Sequence, residues 1–137
     1  MEIKTSISQT EMRKDIDWSN KTILIAEDIH TNFILLEAIL RDTHAKLIWA
    51  KNGIEAVAKC LDHENIDLVL MDIQMPEKNG IEATKEIRKF KKDLPIVAQT
   101  AFAMEYATHN IMKAGCTHII TKPIIPDLVI KTLANYL

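Results

Sequence analysis

Five residues have the side chains for one kind of chemistry if the fold brings them together: Glu27, Asp28, Asp72, Thr100 and Lys122. They supply three carboxylates, a hydroxyl and an ammonium. Acids held close repel one another, and each raises its neighbours' pKa above the ordinary value of about 4. A hard divalent cation offsets that repulsion, and Mg²⁺ suits one or two carboxylates together with waters and phosphate oxygens. Lys122 adds a second positive charge. Such a set fits phosphoryl transfer, where positioning and charge neutralisation supply most of the rate. A carboxylate can itself be the nucleophile and form an acyl phosphate.

The elements that must position these residues are legible in the hydropathy pattern. Short runs rich in Ile, Val and Leu cover residues 22–26, 45–50, 67–71, 95–99 and 118–121. Each is followed by an amphipathic stretch, at about 31–41, 53–63, 80–91, 103–114 and 126–136. Phe33, Leu36, Ile39 and Leu40 share one helical face, as do Ile81, Ala83, Thr84 and Ile87. Pro126 suits a first helical turn, where its missing N–H costs nothing. The first, third and fourth runs are almost continuously apolar, which marks strands covered on both faces. Alternation of strand and helix predicts an α/β fold, a parallel sheet with helices on both faces and right-handed crossovers. Ligands in such folds bind beyond the carboxyl ends of the strands. Glu27-Asp28, Asp72, Thr100 and Thr121-Lys122-Pro123 stand at four of those ends, so they are expected to converge.

A chain of 137 residues fits one domain with a real core. Aromatics make up 5% of it, so aliphatic side chains must fill that core. The net charge of -2 and the lack of a basic run argue against nucleic-acid binding. Cys60 and Cys116 form no Cys-x-x-Cys pair and are expected as buried thiols in a reducing cytoplasm. The five histidines, His30, His44, His63, His109 and His118, show no metal-ligand spacing. No apolar stretch is long enough to span a bilayer, and residues 1–6 lack a signal-peptide core, so a cytoplasmic location without direct membrane contact is expected. Residues 1–20 are polar, with Ile3, Ile7, Met12 and Ile16 at loosely helical spacing. They read as a linker or an extra helix, with the domain over 21–137.

Four segments carry a family resemblance: Ile23–Asp28 (ILIAED), Asp67–Pro76 (DLVLMDIQMP) with Gly80, Pro95–Ala101 (PIVAQTA) and Ala114–Pro123 (AGCTHIITKP). Together, in this order and at strand ends, they resemble the receiver domains of response regulators and hybrid histidine kinases in two-component systems. The resemblance runs from about residue 22 to the C-terminus. It implies a doubly wound, flavodoxin-like (βα)5 three-layer sandwich with strand order 2-1-3-4-5. It implies Asp72 as phosphoacceptor, Asp28 as a direct Mg²⁺ ligand, Glu27 acting through water, and the backbone carbonyl of Gln74 completing the ligands. Thr100 and Lys122 would each contact a phosphoryl oxygen, and the Lys122–Pro123 bond would be cis. The implied phosphoryl donor is a histidine kinase or a histidine phosphotransfer domain. The resemblance also allows a homodimer through the face between the fourth helix and the fifth strand. It fits a single-domain regulator or the receiver of a hybrid histidine kinase, with self-phosphorylation and slow self-dephosphorylation rather than multiple turnover.

Blander readings exist for each residue taken singly. An Asp at a strand end is commonly a turn former or helix cap, and a lone lysine is usually a solvated one. The rival enzyme, an aspartyl-phosphate phosphohydrolase, needs a second acid two residues after the nucleophile, where this chain has Gln74. The rival binding module, a pseudo-receiver, lacks one of the acids or the lysine, and this chain keeps them all. Two positions depart from the family pattern. Ile119 stands where many receivers carry the Tyr or Phe that reports the switch, which predicts a weaker or differently routed response. Gln74 and Phe102 stand at the two positions that, in the family this chain resembles, flank the path of the hydrolytic water, and a bulky apolar Phe102 there predicts a longer-lived acyl phosphate.

Overall fold

The computed structural model describes residues 15–137. Five strands alternate with five helices: β1 Thr22–Ala26, α1 His30–Leu40, β2 Lys46–Ala50, α2 Gly53–Asp62, β3 Leu68–Asp72, α3 Gly80–Arg88, β4 Ile96–Thr100, α4 Glu105–Ala114, β5 His118–Thr121 and α5 Pro126–Ala134. A short 3-10 turn, Arg41–Thr43, follows α1. All neighbouring strands pair in parallel, in the order β2-β1-β3-β4-β5. This is the doubly wound, flavodoxin-like arrangement expected from the sequence. Order reverses at β1, so the crevice beside β1 and β3 is the switch point where such sheets bind ligands.

Side chains alternate across a strand, and the alternation separates two apolar layers. Leu24, Val69, Ile96 and Ala98 face α2, α3 and α4 through Ala56, Cys60, Ala83, Ile87 and Ile111. Ile23, Ile25, Leu68, Leu70, Val97 and Ile120 face α1 and α5 through Phe33, Leu36, Leu40, Val129 and Leu133. β3 and β4 are buried along their whole length, as their continuous apolar runs required. β2 is a half-exposed edge strand, although four of its five residues are apolar. The face Phe33, Leu36, Ile39 and Leu40 of α1 is the buried one.

The helix ends are set by local chemistry. Asn52 caps α2 by accepting the Glu55 N–H at 2.8 Å. Asn79 and Glu82 form a capping box at the start of α3. Gly115 closes α4 at φ 117°, a conformation that favours glycine. Pro126 occupies the first turn of α5. α4 begins two residues later than the expected 103, because Met104 is extended at ψ 146° and serves as the N-cap. α3 ends at Arg88 rather than 91, its continuation being a turn in which Lys91 N–H still reaches the Ile87 carbonyl at 2.8 Å.

The N-terminal segment also differs from expectation. Ile3, Ile7 and Met12 lie outside the described residues. Residues 15–20, read as part of a leader, contribute to the core: Trp18 is 7% exposed within the α1/α5 layer, and Ile16 packs beside it. The Trp18 N–H donates to the Thr43 carbonyl at 2.6 Å, and the Trp18 carbonyl accepts from Lys21 N–H at 2.9 Å. A single Trp in a polar stretch shows no period, so its burial was invisible to pattern reading. Trp18→Ala should cost about 3–5 kcal/mol through the lost contacts and the cavity left behind. Urea denaturation checks this, and an unchanged midpoint would show that Trp18 is dispensable.

Candidate functional site

Parity of the strands decides which side chains meet. Glu27 follows Ile25, Asp72 follows Leu70, and Lys122 follows Ile120, each by two residues, so all three emerge on the α1/α5 side of the sheet. The carboxylates of Glu27, Asp28 and Asp72 come within 4.8 Å of one another. Glu27 is 0% and Asp72 2% exposed, while Asp28 is only partly buried. Lys122 Nζ lies 3.3 Å from Asp72 Oδ1 and 3.8 Å from Glu27 Oε1. Its backbone is anchored by donating its N–H to the Thr100 carbonyl at 2.8 Å, and the Lys122–Pro123 bond is cis. The Gln74 N–H donates to Asp72 Oδ1 at 3.2 Å, and the Ile29 N–H to Glu27 Oε2 at 3.3 Å.

Burial, and then the neighbouring Asp72 charge, push the Glu27 carboxyl up to about 7, while Lys122 and the Ile29 N–H pull it down. Two carboxylate oxygens, Glu27 Oε1 and Asp28 Oδ1, are buried with no hydrogen-bond partner among the described residues. Buried acceptors of that kind need a compensating positive charge. An all-oxygen acidic set with unpartnered lone pairs therefore fits a hard divalent cation.

Thr100 arrives from the other side of its strand, sharing the face of Ala98. It is 2% exposed. Its Oγ1 accepts the Phe102 N–H at 3.0 Å and its hydroxyl reaches the Phe102 carbonyl at 3.4 Å. Thr100, Gln74 and Phe102 line a cavity of about 190 Å³ with Tyr106 and Ile111. Phe102 is 46% exposed at its mouth. Ile119 is partly buried and packs into the α2/α3/α4 layer. Glu27, Asp28, Asp72 and Lys122 thus form one polar cluster, while Thr100 and Phe102 belong to an adjoining apolar recess beside Gln74.

Three supporting residues escaped sequence reasoning. The Trp49 indole N–H donates to the Glu27 carbonyl at 2.8 Å, and its ring stacks on Phe33 at 4.5 Å and His30 at 5.1 Å between centroids. Gly53 N–H donates to the Lys78 carbonyl at 2.9 Å, tying the start of α2 to the loop after Asp72. Gln99, the register partner of Asp72, is fully buried. Its signal was a polar residue in an otherwise apolar run; the other two show none. Cys60 and Cys116 are free and buried, and burial raises both thiols, Cys60 to about 11. They are thus poor nucleophiles.

The response regulator receiver domain matches residues 23–134 of this chain. The chain belongs to that family. The polar-differentiation response regulator DivK of Brucella anthropi is 36% identical over 119 residues, covering 85% of this chain and 96% of DivK. The autoinducer 2 sensor kinase/phosphatase LuxQ of Vibrio vulnificus is 41% identical over 103 residues. That match covers 74% of this chain but only 12% of LuxQ. The receiver domain of the sensor histidine kinase PA1611 from Pseudomonas aeruginosa PAO1 superposes with a TM-score of 0.79 at 30% identity. It covers 85% of this chain and 96% of that receiver, which carries a magnesium ion coordinated in its active site cleft.

Backbone packing under Asp72 leaves no slack. Gly80 N–H donates to the Ile73 carbonyl at 2.9 Å, and a Cβ at Gly80 would lie 2.3 Å from the Asp72 carbonyl oxygen and 2.8 Å from Ile73 Cα. Gly80→Ala must therefore push α3 away from β3, at a cost of about 1–3 kcal/mol. Chemical denaturation measures the loss, and full retention of stability would show that the loop yields freely.

Proposed function

We propose that this receiver domain takes a phosphoryl group from a phosphohistidine onto Asp72. The observation that carries the reading is the pairing of a nearly buried Asp72 with Lys122 Nζ at 3.3 Å inside a cluster in which two carboxylate oxygens have no hydrogen-bond partner among the described residues. One Asp72 oxygen attacks phosphorus, the P–N bond of the donor breaks, and its electron pair returns to the imidazole. Lys122 neutralises charge on the transferring oxygens, and the Gln74 N–H holds Asp72 Oδ1 in place. Thr100 then exchanges its Phe102 partners for a phosphoryl oxygen, which links the chemistry to the loop that opens α4.

Glu27, Asp28, Asp72 and the Gln74 carbonyl would hold Mg²⁺, with Glu27 acting through water. When bound, the ion supplies charge neutralisation for the phosphoryl group. The donor is a histidine kinase or a histidine phosphotransfer domain, a reading supported by receiver matches in LuxQ and PA1611, both sensor kinases by name. The reading places the domain in the cytoplasm, in keeping with two free thiols. With Ile119 in place of an aromatic, output runs through the Thr100–Phe102 loop and α4, where Met104 at the N-cap and Tyr106 are exposed, and the face between α4 and β5 would serve a homodimer.

Incubation with acetyl phosphate and Mg²⁺, followed by intact-mass measurement, should show one phosphoryl group on the wild type and none on Asp72→Asn. Equal labelling of both proteins, or of neither, would overturn the assignment. Phe102 at the mouth of the recess shields the acyl phosphate from water, so Phe102→Glu should shorten its lifetime. An unchanged decay rate after removal of donor would reject that shielding.

A further inference from the structure

Gln99 is an unusual residue to find in the middle of this sheet. It is 0% exposed, and neither Nε2 nor Oε1 has a hydrogen-bond partner among the described residues. Unpartnered buried amides are few in native proteins and destabilise them, so each one needs a reason. Rule-breaking residues of this kind concentrate at functional sites.

Its position supplies the reason. Val97 packs in the α1/α5 layer and Ala98 in the opposite one, so alternation puts the Gln99 side chain on the α1/α5 face. That is the face of Glu27, Asp72 and Lys122. Asp72 and Gln99 are register partners on adjacent strands, about 4.8 Å apart. On its other side Gln99 pairs with Ile120, and Lys122 follows two residues later on the same face. The amide therefore stands between the strand that carries the acceptor and the strand that carries the lysine.

We propose that Gln99 is a positioning residue for phosphoryl transfer, its amide supporting Asp72 and Lys122 as they exchange hydrogen bonds. The inference rests on Asp72 being the acceptor. Before transfer, Asp72 Oδ1 accepts from Lys122 Nζ at 3.3 Å and from the Gln74 N–H at 3.2 Å. Once the other carboxylate oxygen carries the phosphoryl group, the negative charge moves outward onto the phosphoryl oxygens and Lys122 follows it. Oδ1 is then a carbonyl oxygen with one donor fewer. Gln99 Nε2 supplies the replacement N–H, and Oε1 accepts from the shifted ammonium. Gln99 itself makes and breaks no covalent bond. An apolar side chain would pack here as Val97 does, but it could serve neither partner.

Two variants separate this role from packing. Gln99→Met keeps the chain length and removes both polar atoms; Gln99→Val copies the residue used two positions earlier on the same face. Labelling by acetyl phosphate with Mg²⁺ is followed by intact mass for wild type and both variants, with thermal unfolding measured alongside. Melting temperatures should equal or exceed the wild type, because an unpartnered amide has been removed. The maximal labelling rate should fall about tenfold, as for loss of one hydrogen bond to a charged group, with the half-saturating acetyl phosphate concentration unchanged. Wild-type rates in a folded variant overturn the inference, and so does a rate loss that tracks a loss of stability in both. If the wild type takes no phosphoryl group, the acceptor reading fails and this one with it. A labelled wild type beside equally labelled variants overturns this one alone.

Discussion

Three carboxyl groups within 4.8 Å of one another, facing a single lysine, are the constraint to which the rest of the site answers. In water such a cluster would spread apart. Here Asp72 ends the buried strand β3 and Glu27 directly follows the buried strand β1, so the sheet holds both in place. The repulsion is met by Lys122 and by backbone N–H groups of Gln74 and Ile29, while burial and the Asp72 charge raise the Glu27 carboxyl above its ordinary range. Among the described residues, Glu27 Oε1 and Asp28 Oδ1 still have no hydrogen-bond partner, which leaves acceptor capacity at the rim. The surroundings of Asp72 are thus set by the whole cluster rather than by Asp72 alone.

Holding the charges in place is a matter of backbone approach. α3 starts so close to the end of β3 that Gly80 has no room for a Cβ against the Asp72 carbonyl. Gly53 is similarly pressed on the Lys78 carbonyl, with a Cβ placed 2.3 Å from it. These contacts clamp the loop of residues 73–79 from two sides. On the far flank, Trp49 ties the Glu27 carbonyl to the edge strand while stacking on Phe33. The placement of the acids is therefore supported by glycine contacts and one indole, none of which belongs to the cluster itself.

The recess lined by Thr100, Gln74, Phe102 and Tyr106 has a different physical character. It is apolar, open and bordered by a loop whose main tie is the Thr100 hydroxyl to the Phe102 backbone. A hydroxyl with two modest bonds can leave them when a stronger, charged acceptor is offered. Ile119 fills its position by packing into the core and has no ring to rotate. The α4 entry beside it lacks a side-chain cap.

The sequence by itself determined the element order, the parallel sheet, the buried character of β3 and β4, and the meeting of Glu27, Asp28, Asp72 and Lys122 at one rim. Those features follow from period and parity, which are local properties of the chain. Only the tertiary structure decided that Trp18 belongs to the core, that Trp49 braces Glu27, and that Thr100 sits in a recess beside the acidic cluster. It also decided that Gln99 is buried without a partner next to Asp72. Each of these depends on which residues from distant strands become neighbours, and on how much room the packed layers leave between them. Register and close packing are long-range quantities, and no window of sequence contains them.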